Sequence, residues 1–175
     1  VTVEAILQTA LTYAKDGTKK AIEAVLNCVD TLSKDTHSYD EIVAALHEAI
    51  APYSPMGDDV HRKLEKVGLP SNHYTPSRLF SIEELPLALA FIKLNKGAFY
   101  ESIYDGINSG RDTDSIGVMA GVILGAMYGE SVINEEDVKL LSETNRIDFD
   151  DAALRFSNIA KAIIQEDIET ALNRQ

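Results

Sequence analysis

Apolar residues recur at helical spacing almost from end to end of this chain, and no segment alternates with the period of two that a half-buried strand needs. Ile6, Leu7, Ala10, Leu11 and Ala14 form a first stripe, which Asp16-Gly17 is expected to break. Ile22, Val25, Leu26, Val29 and Leu32 form a second. Ser38 and Glu41 have the spacing of a capping box, opening a third helix through Ile42, Ala45, Leu46 and Ala49 that Pro52 ends. Val60, Leu64 and Val67 suggest a short helix closed by Gly68 and Pro70, and residues 69–80 read as an irregular loop. A helix over about 83–94 follows, where Pro86 is acceptable only in the first turn. Phe99 and Ile103 mark the next helix, followed by a loop from Gly106 to Arg111 and a small-residue helix over 114–128. A short helix near 135–142 precedes a long final one carrying Phe156, Ile159, Ala160, Ile163, Ile164, Ile168 and Leu172. The pattern predicts an all-α protein of eight or nine helices, with residues 1–175 forming one unit.

Composition narrows the class of partner. The chain has 175 residues, 45% hydrophobic and 25% charged, which suits one globular domain. Its 28 acidic and 16 basic residues give a net charge of −12, and such a surface repels a phosphate backbone, so nucleic-acid binding is not expected. The longest apolar run, Ile116 to Gly129, falls short of the ~18–20 residues that cross a bilayer. Val1-Thr2-Val3-Glu4 shows no basic stretch before an apolar run, so no secretory signal is visible. A soluble, cytoplasmic protein without a membrane partner is the expectation. The lone Cys28 cannot form an internal disulfide, which fits a reducing compartment, and its place on an apolar stripe marks it as core. The absence of an initial Met suggests a fragment of, or a piece processed from, something longer.

Chemistry concentrates in Ser109-Gly110-Arg111-Asp112-Thr113-Asp114-Ser115 and the helix behind it. Gly117, Gly121, Gly125 and Gly129 fall every fourth residue and so share one helix face. An interior Gly costs roughly 1 kcal/mol relative to Ala, so the stripe implies close approach of another element rather than catalysis. Asp112, Asp114 and Ser115 offer three hard oxygen donors at a helix start. One explanation is N-capping, which satisfies free N–H groups and suits the helix dipole. Capping needs only one such residue, however, and two neighbouring carboxylates repel. A divalent cation would remove that repulsion, and an all-oxygen set favours Mg²⁺, Mn²⁺ or Ca²⁺ over Zn²⁺.

The string from Ser109 through Asp112-Thr113-Asp114-Ser115 to Tyr128-Gly129 resembles the ADP-ribosylglycohydrolase family, which typically shows Gly-Gly-Asp-Thr-Asp-Thr/Ser and a small-residue helix ending in Tyr-Gly. The upstream Glu84-Leu85-Pro86-Leu87-Ala88-Leu89-Ala90-Phe91 is similar to the helix that precedes it there. The likeness covers about residues 82–133. It implies a compact orthogonal all-α helical bundle and a two-metal centre, of Mg²⁺ or Mn²⁺, that cleaves N- or O-glycosidic bonds of ADP-ribose. It further implies Asp112, Asp114 and Ser115 as metal ligands, Gly110 and Arg111 beside the substrate, and ADP-ribose or an ADP-ribosylated acceptor as partner.

Two departures from the family pattern stand out. Arg111 occupies a position where Gly is commoner; if φ is positive there, Arg is strained, and its side chain either pairs with a carboxylate or reaches a substrate phosphate. The family's Thr-x-Asp-Asp-Thr ligand motif is missing as well. Gly57-Asp58-Asp59 lacks the flanking Thr residues and reads as a loop and helix cap. The chain is therefore expected to be the C-terminal part of a larger domain, with the catalytic acid or base and further ligands in an N-terminal segment or a second chain. His37, His47, His61 and His73 show no metal-ligand spacing; His73-Tyr74 precedes the substrate-side helix and is a possible ligand contact. The rivals are a family-like fold without catalysis, used for binding or structure, and a helical interaction module whose acidic cluster only caps a helix.

Overall fold

The computed structural model describes residues 1–53 and 83–174. The expected short helix at 60–67, the loop at 69–80, Gly57-Asp58-Asp59, His61 and His73-Tyr74 lie outside the described residues. Among the described residues all regular structure is helical, as the periodicity predicts. In chain order the α-helices are α1 (Val3–Tyr13), α2 (Asp16–Asp30), α3 (Tyr39–Ile50), α4 (Glu84–Leu94), α5 (Phe99–Asn108), α6 (Thr113–Tyr128), α7 (Glu135–Asn145) and α8 (Phe149–Leu172). Short 3₁₀ turns occupy Ala51–Tyr53 and Glu130–Val132. The chain divides into two compact units, Val1–Glu130 and Ser131–Gln175. No helix among the described residues is long and apolar enough to cross a membrane.

Helix α4 organises the first unit. Every residue from Pro86 to Ile92 is buried, and a helix apolar all round must be enclosed by others. It packs against α1, α2, α3, α5 and α6. Those neighbours turn stripes toward it: Ala21, Ile22, Val25, Leu26 and Val29 of α2, Ile42, Leu46 and Ile50 of α3, and Ile116, Ala120 and Leu124 of α6. Burying each of the large aliphatics contributes about 1.5–3 kcal/mol. Pro86 sits in the first turn of α4, where its missing N–H has no helical acceptor to lose. The capping box forms as spaced: the Glu41 N–H donates to Ser38 Oγ at 3.3 Å, and the Ser38 N–H donates to Glu41 Oε2 at 2.7 Å. These bonds hold the Glu41 carboxyl below its usual pKa.

Two boundaries differ from expectation. Asp16-Gly17 opens α2 rather than breaking α1; the break is the extended backbone of Ala14 and Lys15, and Asp16 places a negative charge in the first turn of α2. Helix α5 continues through Gly106 to Asn108, so the expected loop is shorter. Gly106 serves packing there, since a Cβ on it would lie 2.9 Å from Ile116 Cγ2 of α6.

Polar ties fix the surrounding helices. The Lys34 ammonium donates to Asp105 Oδ2 at 2.6 Å and to Asn95 Oδ1 at 2.5 Å, and Asn95 Nδ2 donates to Asp105 Oδ2 at 2.9 Å. The Tyr39 hydroxyl donates to the Asp105 carbonyl at 2.7 Å. Lys93 bridges α4 to α2 by donating to the Leu26 carbonyl at 3.0 Å and pairing with Asp30. In the second unit Asn134 caps α7, Arg146 ends it in the left-handed region, and Asp148 caps α8 through the Asp151 N–H. None of the residues in these two helices is buried.

Candidate active site at the starts of two packed helices

The packing of α4 on α6 brings together two chain segments 28 residues apart, Glu83-Glu84 and Arg111-Asp112. Gly110 and Arg111 both have positive φ, +82° and +68°. For Arg this conformation costs roughly 1–2 kcal/mol, because the Cβ crowds the following carbonyl. The guanidinium is anchored in compensation. Arg111 Nε donates to Glu83 Oε2 and Nη2 to Glu83 Oε1, each at 2.5 Å, a two-bond fork. The two side chains are 4% and 9% exposed, so the pair is screened from water. Of the two roles open to Arg111, the carboxylate partner is the one present.

Asp112 is the N-cap residue of α6, yet its side chain makes no capping hydrogen bond; only its carbonyl serves the helix, accepting from the Ile116 N–H at 3.1 Å. Glu84, the first residue of α4, is buried, and its Oε2 accepts from the Glu83 N–H at 3.3 Å. Burial pushes the Glu84 carboxyl above its ordinary pKa, and the charges of Asp112 and Glu83 push in the same direction. Asp114 lies exposed in the first turn of α6, and Ser115 is half-buried beside it. Both helix starts direct the positive ends of their dipoles toward these acids.

This donor set suits a hard cation. Asp112, Asp114 and Ser115 offer only oxygen, Asp112 is not consumed by capping, and the Asp112 charge that helps to raise the Glu84 pKa is one a cation would offset. Among the described residues no three His, Cys, Asp or Glu side chains converge on one point. Gly110 leaves open space where a side chain would stand. Glu83 and Glu84 were not singled out from the sequence. The signal was present, however: two adjacent acids opening a helix that is apolar on every face must be buried with it. His47 is buried on α3, and His37 lines a cavity of about 300 Å³ with Lys34, Tyr39, Ile42 and Asp105.

The model of the ADP-ribosylglycohydrolase family matches residues 1–169, far beyond the 82–133 segment that carries the recognisable motifs. No curated protein and no solved structure matches the chain.

Proposed function

Because the chain belongs to the ADP-ribosylglycohydrolase family, we infer that it is a metal-dependent hydrolase that cleaves a glycosidic bond of ADP-ribose, releasing ADP-ribose from a modified acceptor. Asp112, Asp114 and Ser115 are the residues that would hold Mg²⁺ or Mn²⁺, and the ion would supply Lewis acidity and a water acidified toward neutral pH. The anionic oxygens of Asp112 and Asp114 set the charge of the site, and the N-terminus of α6 favours that charge. Gly110 exposes its backbone to the substrate. Arg111 contributes to that surface through its own backbone, since its guanidinium is bound to Glu83.

One observation carries this assignment: the Asp112 carboxylate occupies an N-cap position without capping. Asp112→Asn and Asp114→Asn test it. Each should weaken Mn²⁺ binding, measured by calorimetry, and slow ADP-ribose release from an ADP-ribosylated peptide by more than about tenfold, the loss common even for outer-shell partners of a metal. For Asp112→Asn the metal-free melting temperature should hardly move, because no cap bond is lost, while the stabilisation on adding Mn²⁺ shrinks. Retention of wild-type activity and metal response by both variants would refute the assignment and leave the cluster as a helix start in a binding or structural protein.

A further inference from the structure

We propose that Glu83 is a positioning residue, locking Arg111 in its left-handed turn so that Asp112 is delivered to the cation site; this rests on Asp112 being a metal ligand. Arg111 is a long β-carbon-bearing residue at φ +68°, where an L side chain resists staying. The preceding Gly110, also at positive φ, is free to rotate either way. What opposes relaxation is the fork to Glu83, closed at both oxygens and nearly sealed from water. Asp112 follows directly, so any relaxation of φ at 111 re-aims the next carboxylate. Glu83 itself is fixed by the start of α4, the most enclosed helix of the unit, which gives the lock a rigid base.

A stabilising ion pair and a conformational lock make different predictions when the strained residue is replaced by one that needs no lock. Glu83→Gln removes the charge and half the fork, so Arg111 swings toward water and the turn relaxes. A preference of roughly tenfold against the left-handed state then lowers the competent fraction, and apparent Mn²⁺ affinity falls by about the same factor. Adding Arg111→Gly to Glu83→Gln restores the turn, because Gly adopts positive φ without help. It also removes the guanidinium that has lost its charged partner, so the double variant folds even where Glu83→Gln does not.

The experiment is Mn²⁺ calorimetry on the full chain as wild type, Glu83→Gln, the Glu83→Gln/Arg111→Gly double variant and Asp112→Asn, with φ at residue 111 read from NMR couplings. The expected result is about tenfold weaker binding for Glu83→Gln, with the double variant within about threefold of wild type. Relaxation of φ should accompany the loss and reverse with the rescue. Unchanged Mn²⁺ affinity in Glu83→Gln despite a lower melting temperature would overturn the proposal, as would a loss that the double variant fails to restore. Equal binding by wild type and Asp112→Asn would instead sink the metal assignment, and φ at residue 111 in Glu83→Gln and the double variant would still decide whether the lock exists.

Discussion

The glycine stripe of α6 yields a graded stability series, because its members face different surroundings. A Cβ on Gly125 would meet no atom within 4 Å. Gly125→Ala therefore gains nearly the whole helix-propensity difference, about 1 kcal/mol. On Gly121 the new Cβ would lie 3.7 Å from Ile103 Cδ1, an ordinary contact, so a similar gain is expected. On Gly117 it would lie 2.9 Å from Ile107 Cγ1 and 3.1 Å from Cδ1. Cγ1 is one bond from the Ile107 Cβ, so the whole side chain must turn; overpacking of this kind costs about 1–3 kcal/mol. Ile107 is 42% exposed and has somewhere to go, which places the cost in the lower part of that range. Set against the propensity gain, Gly117→Ala should be neutral to about 1 kcal/mol destabilising. For a chain of this length 1 kcal/mol corresponds to roughly 2–4 °C in Tm, so Gly125→Ala and Gly117→Ala should separate by about 2–8 °C. Urea unfolding followed by circular dichroism measures the series. Native-state hydrogen exchange at the α4 amides reports on the Val1–Glu130 unit by itself. Close approach of another element, expected for the whole stripe, thus holds only at Gly117, since Gly125 and Gly129 face open space; equal stabilisation by Gly117→Ala and Gly125→Ala would refute it there too.

Two further predictions concern ionisation. The folded protein holds the Glu84 carboxyl above its unfolded pKa, so the stability it contributes is complete below about pH 4.3 and lost as pH rises through the folded value; Glu84→Gln should therefore raise Tm at pH 7 and leave it nearly unchanged at pH 3.5, and a fall at pH 7 would contradict this. The Tyr39 hydroxyl is pushed up to about 12 by burial, then by Asp105 and Asp40, so its stabilising effect is intact below about pH 10 and disappears between 10 and 12. The difference in tyrosinate absorbance between wild type and Tyr39→Phe should rise with a midpoint near 12, and a midpoint at the ordinary value of about 10 would show that the hydroxyl is solvated.

What was legible in the sequence divides along sequence distance. Local features emerged because their causes are local: apolar spacing placed the stripes of α2 and α3, and Ser38 with Glu41 fixed the start of α3 through bonds three residues long. Where a local rule failed, a distant contact had prevailed at Gly106 and a competing local one at Asp16. Gly106 resembles a loop residue until Ile116 is packed against it, and Asp16-Gly17 resembles a break until Asp16 is seen charging the start of α2. The site divides in the same way. Asp112, Asp114 and Ser115 stand out in a single stretch, but two explanations fit that stretch equally well, since capping and metal binding use the same residue types. The fold adds one fact that the stretch does not carry, an Asp112 side chain left out of the cap, and the proposed metal role draws its support from that. Arg111 makes the point most sharply. Its sequence position raised both strain and a carboxylate partner as conditionals; the structure meets both at once, and each explains the other. A non-glycine residue is tolerated at positive φ because Glu83, 28 residues upstream, holds its guanidinium by two bonds. The departure from the commoner glycine thus exchanges a freely adopted turn for one fixed by a buried ion pair, and the acid that follows inherits its orientation from a contact the linear sequence does not display.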